Sequence, residues 1–148
     1  MLSAISRSSG ERLLNSASAI PARPFERLEA YDLYLRALAR FHRFTEESLA
    51  EAVSLLQQAL AIESTYAPAA AFVGFCRRQQ RVQGWGPLSD QDVAAAVRLA
   101  RQALETARDD PDTISQAAIT LFMLANEPAL AAAVIDRAVT LNPNAVSA

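Results

Sequence analysis

The 148-residue chain has no lysine, one histidine, one cysteine, only four glycines and no long apolar run. Each shortage excludes something. The single cysteine, Cys76, can form neither an intrachain disulfide nor a cysteine-based metal site, and a reducing, cytoplasmic setting fits it. No apolar stretch approaches the ~18–20 residues that a membrane-spanning helix requires, so no membrane partner is expected. The formal net charge is −2, which leaves no basic footprint for nucleic acid or anionic lipid. All fourteen basic residues are arginine, which reads as codon bias in a GC-rich genome. The opening "MLSAISRSSGERLLNSASAIPARP" lacks the continuous apolar core of a secretory signal. It is Ser- and Arg-rich, with Glu11 its only acid before Glu26, a faint likeness to a transit peptide. The plainer reading is a flexible leader over 1–24.

What is present points to helix. Hydrophobic residues make up 51% of the chain, and alanine alone about a fifth. Alanine loses no side-chain entropy in a helix, and scarce glycine removes the usual breakers. From Phe25 the pattern is helical throughout. Leu28, Tyr31, Leu35, Leu38 and His42 fall at three- and four-residue steps and predict one apolar face of a helix over about 25–43. Thr45 is placed to cap the next helix, with Leu49, Val53, Leu56 and Leu60 in line to about Glu63. A third helix begins at Ala67-Pro68 and ends before "RVQGWGPLSD", whose two glycines and proline are strong breakers. Ser89 with Asp92 predicts a capping-box start for a fourth, about 90–107. Asp110 and Pro111 open a fifth, about 111–125, and a sixth follows over about 128–141. No segment alternates with a period of two. The expected class is all-α, six helices with short connections and antiparallel neighbours.

The helices repeat in pairs. "LLQQALAIES", "LARQALETAR" and "VIDRAVTLNP" superpose without gaps, aligning Ala59, Ala103 and Ala138. Ala52-Leu56-Ala59-Ser64, Ala96-Ala100-Ala103-Arg108 and Ala131-Ile135-Ala138-Pro143 share one set of steps. Small residues are required where two antiparallel helices cross closely. Ala37, Gly74 and Ile119 are the facing candidates on the first helices, and Ile119 is a misfit or marks a register off by one.

These spacings resemble a tetratricopeptide-repeat array of about three repeats, with pairs about 25–63, 66–107 and 111–141 inside a domain 25–148. The resemblance implies a short right-handed solenoid whose first helices line a concave surface. "AYDLYLRALARFHRFTEESLAEAVSLLQQALAIESTYAPA", "VQGWG" and "IDRAVTLNPNA" are further similar to the repeat region at the C-terminus of bacterial, rhizobia-like class III adenylate/guanylate cyclases. Similar repeats also follow winged-helix DNA-binding domains in bacterial regulators. The cyclase chemistry resides in a separate upstream domain, and no position here matches its motifs. The resemblance therefore implies a non-catalytic interaction or scaffold module with no cofactor.

Four groups of residues are candidates for chemistry. His42 reads as a helix-end residue beside aromatics, and Cys76 as a small buried hydrophobe next to Phe72 and Phe75. Asp109, Asp110 and Asp112 read as capping residues, since they lack the loop of a calcium hand. No metal site is expected. Arg77, Arg78 and Arg81 with Trp85 are a candidate anion or nucleotide site; the competing reading is a solvated helix end. The carboxylate clamp of some tetratricopeptide domains is absent, because its positions hold Tyr34 and Leu38, Ala71 and Phe75, Gln116 and Thr120. Tyr34, Leu38, Phe41, Phe75, Arg78, Gln116 and Met123 are the expected lining of an apolar, aromatic groove for a hydrophobic or amphipathic segment. The ending "AVTLNPNAVSA" leads towards a fourth pair. It leaves Leu130, Val134, Ile135 and Val139 partly uncovered, so either self-association through that end or a longer parent is expected.

Overall fold

The computed structural model describes residues 23–126 and 128–141. Residues 1–22 of the expected leader, the turn at Asn142 and Pro143, and the side chains of Leu130, Ala131 and Ala138 lie outside the described residues, while Arg23 and Pro24 open the first helix. Six helices follow in chain order: α1 (Pro24–His42), α2 (Glu46–Ile62), α3 (Ala67–Gln83), α4 (Asp90–Thr106), α5 (Pro111–Leu124) and α6 (Pro128–Leu141). The described chain is all-helical, with no strand among the described residues. Helices α1 and α2, α3 and α4, and α5 and α6 pack as pairs, and α3 also touches α1, α2 and α5.

The boundaries have local causes. The Thr45 hydroxyl accepts the Ser48 N–H at 3.0 Å, and the Ser48 hydroxyl accepts the Thr45 N–H at 2.9 Å. Two orphan donors at the start of α2 are thereby satisfied reciprocally. At α5 an Asp110 carboxylate oxygen accepts the Thr113 N–H, and Pro111 opens the helix. At α4 only half of the expected box forms. Ser89 accepts the Asp92 N–H at 3.0 Å, but the Asp92 carboxylate turns away to Arg77 at 3.3 Å. The charged partner is the better one for a carboxylate.

The first helix of every pair ends in one way. Phe44 after α1, Gly84 after α3 and Asn126 after α5 all take left-handed φ, of 54°, 68° and 57°. Such a residue reverses the chain sharply and meets the last carbonyls of the helix. Only one of the three is a glycine, and Arg108 after α4 takes φ of 56° as well, so this ending is not confined to first helices.

Two apolar clusters form the core. The first holds Ala30, Leu33 and Ala37 of α1, Leu49, Val53 and Leu56 of α2, and Ala69, Phe72, Val73 and Cys76 of α3. The second holds Ala67, Ala70 and Ala71 of α3, Ala100 and Ala103 of α4, and Ile114, Ala117 and Leu121 of α5. Leu60 and Leu99 pack against both and join them. The repeated alanines Ala52, Ala59, Ala96, Ala100 and Ala103 are all fully buried, as their place in the aligned pairs requires.

Three expectations are corrected. On α1 the stripe Leu28, Tyr31 and Leu35 faces outward, with Leu28 70% exposed, while Ala30, Leu33 and Ala37 are buried. Close approach to α2 selects small residues, so the buried face is marked by alanine and not by the largest side chains. In the third pair Ile119 is half-buried, and the fully buried small residues are its neighbours Ala117 and Ala118. Gly74, finally, serves the packing of α3 against α5. A Cβ there would lie 2.5 Å from Thr120 Oγ1.

Candidate functional site

Contacts between the first helices advance together along the chain. Tyr34 meets Tyr66 and Phe72, with ring centroids 5.7 and 6.2 Å apart. One turn and more along α1, Phe41 meets Phe72 and Phe75 at 5.4 and 5.1 Å. Arg78 bonds Thr120, and Arg81 reaches the Met123 carbonyl, each 42 residues on. Helices α1, α3 and α5 therefore run parallel, side by side. The expected groove residues Tyr34, Leu38, Phe41, Phe75, Arg78, Gln116 and Met123 lie on these three helices.

Ring contacts through Phe72 and the Arg78 guanidinium over the Phe75 ring join four of them, Tyr34, Phe41, Phe75 and Arg78, into one strip. Tyr34, Leu38, Phe41, Phe75 and Gln116 are half-buried, and Met123 and its neighbour Phe122 are 40% and 52% exposed. Edge-to-face and tilted ring contacts fix the aromatic part, each worth about 0.5–1.5 kcal/mol beyond the area it buries. Sequence reasoning missed three members of this surface. Tyr66 and Phe72 back the rings, and Thr120 anchors Arg78. A signal for one of them is visible in the sequence, since Phe72, Phe75 and Arg78 stand three residues apart on α3.

The strip is electrically polarised. At the N-terminal ends, the Tyr34 hydroxyl is held above its ordinary pKa by burial and by Asp110 and Asp112. Tyr66 is pushed up to about 12 by burial, Tyr34 and other neighbours. At the C-terminal ends stand Arg78 and Arg81. Arg78 is 8% exposed. Its Nε–H donates to Thr120 Oγ1 at 3.2 Å, and its guanidinium carbon lies 4.6 Å from the Phe75 ring centroid. The Thr120 hydroxyl donates in turn to the Gln116 carbonyl at 2.9 Å, which leaves its oxygen free to accept from Arg78.

The four residues expected to gather around an anion are divided. Arg78 and Arg81 turn to α5. Arg77 turns the other way, to Asp92 and to Gln80 Oε1 at 3.1 Å. Trp85 folds back on Phe44, with centroids 5.2 Å apart, and with Arg77, Gln80 and Glu46 it lines a cavity of about 120 Å³. The Glu46 carboxylate lies on that rim, and Arg77 is already paired with Asp92. His42 is exposed at the end of α1 beside Phe41. Burial pushes the Cys76 thiol up to about 12, far from a reactive thiolate. Among the described residues no group of three or more metal-ligating side chains occurs. No helix among them is long and apolar enough to cross a membrane. No protein-family model and no curated protein matches this chain, so the functional reading rests on the strip along α1, α3 and α5.

Proposed function

We propose that the chain is a non-catalytic interaction module of tetratricopeptide type, which receives a segment of a partner protein along α1, α3 and α5. The observation that carries this reading is the strip from Tyr34 through Phe41 and Phe75 to Arg78, with Met123 exposed on the adjoining α5. Its rings are rigid and half-covered, and its far edge is exposed and apolar. Rigid aromatic side chains lose little entropy on binding and dominate contact energies. Stacked helix pairs whose first helices lie parallel present such a strip as one surface, the arrangement of a short solenoid. The repeated left-handed helix ends and the buried alanines support the repeat reading.

The test is a selection from a phage-displayed library of random linear peptides against the whole chain. Selected peptides are expected to shift NMR resonances of α1, α3 and α5. Tyr34→Ala and Met123→Ala are each expected to weaken binding about tenfold. A footprint confined to α2 and α4 would sink the reading.

On the sequence resemblance, the parent is proposed to be a class III adenylate cyclase-like protein, with this module as its regulatory C-terminal part. A winged-helix regulator is the alternative. The adjacent upstream reading frame is expected to encode a cyclase catalytic domain, and a DNA-binding domain there would decide for the alternative.

A further inference from the structure

We propose that Arg78 is the receptor for a carboxylate side chain of the bound segment, so that the partner carries an Asp or Glu flanked by apolar residues. This rests on the interaction-module reading and names the chemistry of its ligand. Arginine is almost never so deeply buried unless paired. A cation removed from water needs a counter-charge or a full set of acceptors. Arg78 has neither among the described residues. Thr120 answers Nε–H, the Phe75 ring covers one face, and no carboxylate of the described residues lies within ion-pair range. Its neighbour Arg77, by contrast, has Asp92. Burial lowers the Arg78 pKa only to about 10, so the group stays charged at neutral pH.

The terminal Nη groups thus offer the fork that a carboxylate fits in bidentate fashion. The Thr120 bond and the Phe75 ring hold that fork in place beforehand, which reduces the ordering lost on binding. Charge complementarity selects the sign. Asp110 and Asp112 bear on the strip at its other end, beside Tyr34, and Arg81 adds a second positive charge one turn beyond Arg78. The surroundings select the flanks. The Phe75 ring against Arg78, with Phe41 packed on Phe75, and exposed Met123 on α5 suit apolar side chains next to the acid. A free phosphate would leave those surfaces uncovered.

The same peptide selection decides the matter. Enriched sequences are expected to hold an acid beside apolar residues. Changing that acid to its amide in the peptide is expected to weaken binding to the unmodified chain roughly tenfold. Arg78→Gln, with its fold checked by circular dichroism, is expected to bind acid and amide peptides equally weakly, and Arg78→Lys to fall between. The peptide-side change decides even if Arg78→Gln does not fold. Enriched apolar peptides without an acid, or an amide change of less than about twofold, overturn the carboxylate role and leave the module reading standing. Failure to enrich any peptide removes both. Inorganic phosphate is expected to displace the peptide no better than chloride at equal ionic strength, and binding of phosphate alone through Arg78 would overturn the commitment to a peptide.

Discussion

Leu56→Ala is expected to lower stability by about 2–5 kcal/mol, more than any other substitution proposed for this chain. Leu56 is fully buried and, with Ile114 and Leu121, is among the largest such side chains of the described residues. It belongs to the cluster that joins α1, α2 and α3. Truncation removes the transfer free energy of its outer carbons and leaves a cavity that helices fixed at alanine-lined crossings cannot easily close. Thermal unfolding followed by circular dichroism should show a fall of roughly 2–4 °C for each kcal/mol lost. The informative control is Leu28→Ala. Leu28 stands on the stripe that periodicity alone assigns to the core, yet it is mostly exposed. Its loss is expected to change stability by no more than about 0.5 kcal/mol. Equal losses from the two variants would contradict the burial of Ala30, Leu33 and Ala37 as the inner face of α1.

Gly74→Ala is the second large effect, and its sign runs against helix propensity. In an exposed helix interior the change would stabilise by about 0.5–1 kcal/mol. Here the new Cβ would sit 2.5 Å from Thr120 Oγ1, 2.7 Å from its Cγ2 and 3.0 Å from its Cβ. Thr120 is β-branched and stiff in its helix. It is also held at both ends, accepting from Arg78 and donating to Gln116. It cannot swing aside without releasing a buried guanidinium. Overpacking of this kind costs about 1–3 kcal/mol, so a net loss of up to about 2 kcal/mol is expected from denaturant titration. Adding Thr120→Ala removes the two shortest contacts, and the double variant is expected to be more stable than the sum of the single effects predicts. Strict additivity would show that α3 and α5 do not meet at Gly74. Because Gly74 and Arg78 share Thr120, Gly74→Ala should also weaken any acidic peptide bound at Arg78.

The helices are legible in the sequence because their signals are local. Thr45, Ser89 and Asp110 each satisfy backbone donors within three residues, and Pro111 and Gly84 act on their own dihedral angles. The pairing is legible from alanine spacing, since Ala52, Ala59, Ala96 and Ala103 sit where helices cross. The inner face of α1 is not, because large apolar residues outweigh small ones in the periodicity, although close crossings select the small. The contacts of Tyr34 and Phe41 with Phe72, and of Arg78 with Thr120, are not legible, because they join residues on different helices.

The sequence by itself determined that this chain is helical, where most of its helices begin and end, and that alanine-rich faces pair them. Those are properties of near neighbours and of repeat spacing. Tertiary structure alone decided the rest. It divided the three arginines of α3 between two faces, sending Arg77 to Asp92 and Arg78 and Arg81 to α5. It turned Gly74 into the point where α5 comes close. It left one buried guanidinium without a carboxylate among the described residues. A charge partner is a matter of a few ångströms across helices some forty residues apart, a distance that no local pattern in the sequence encodes.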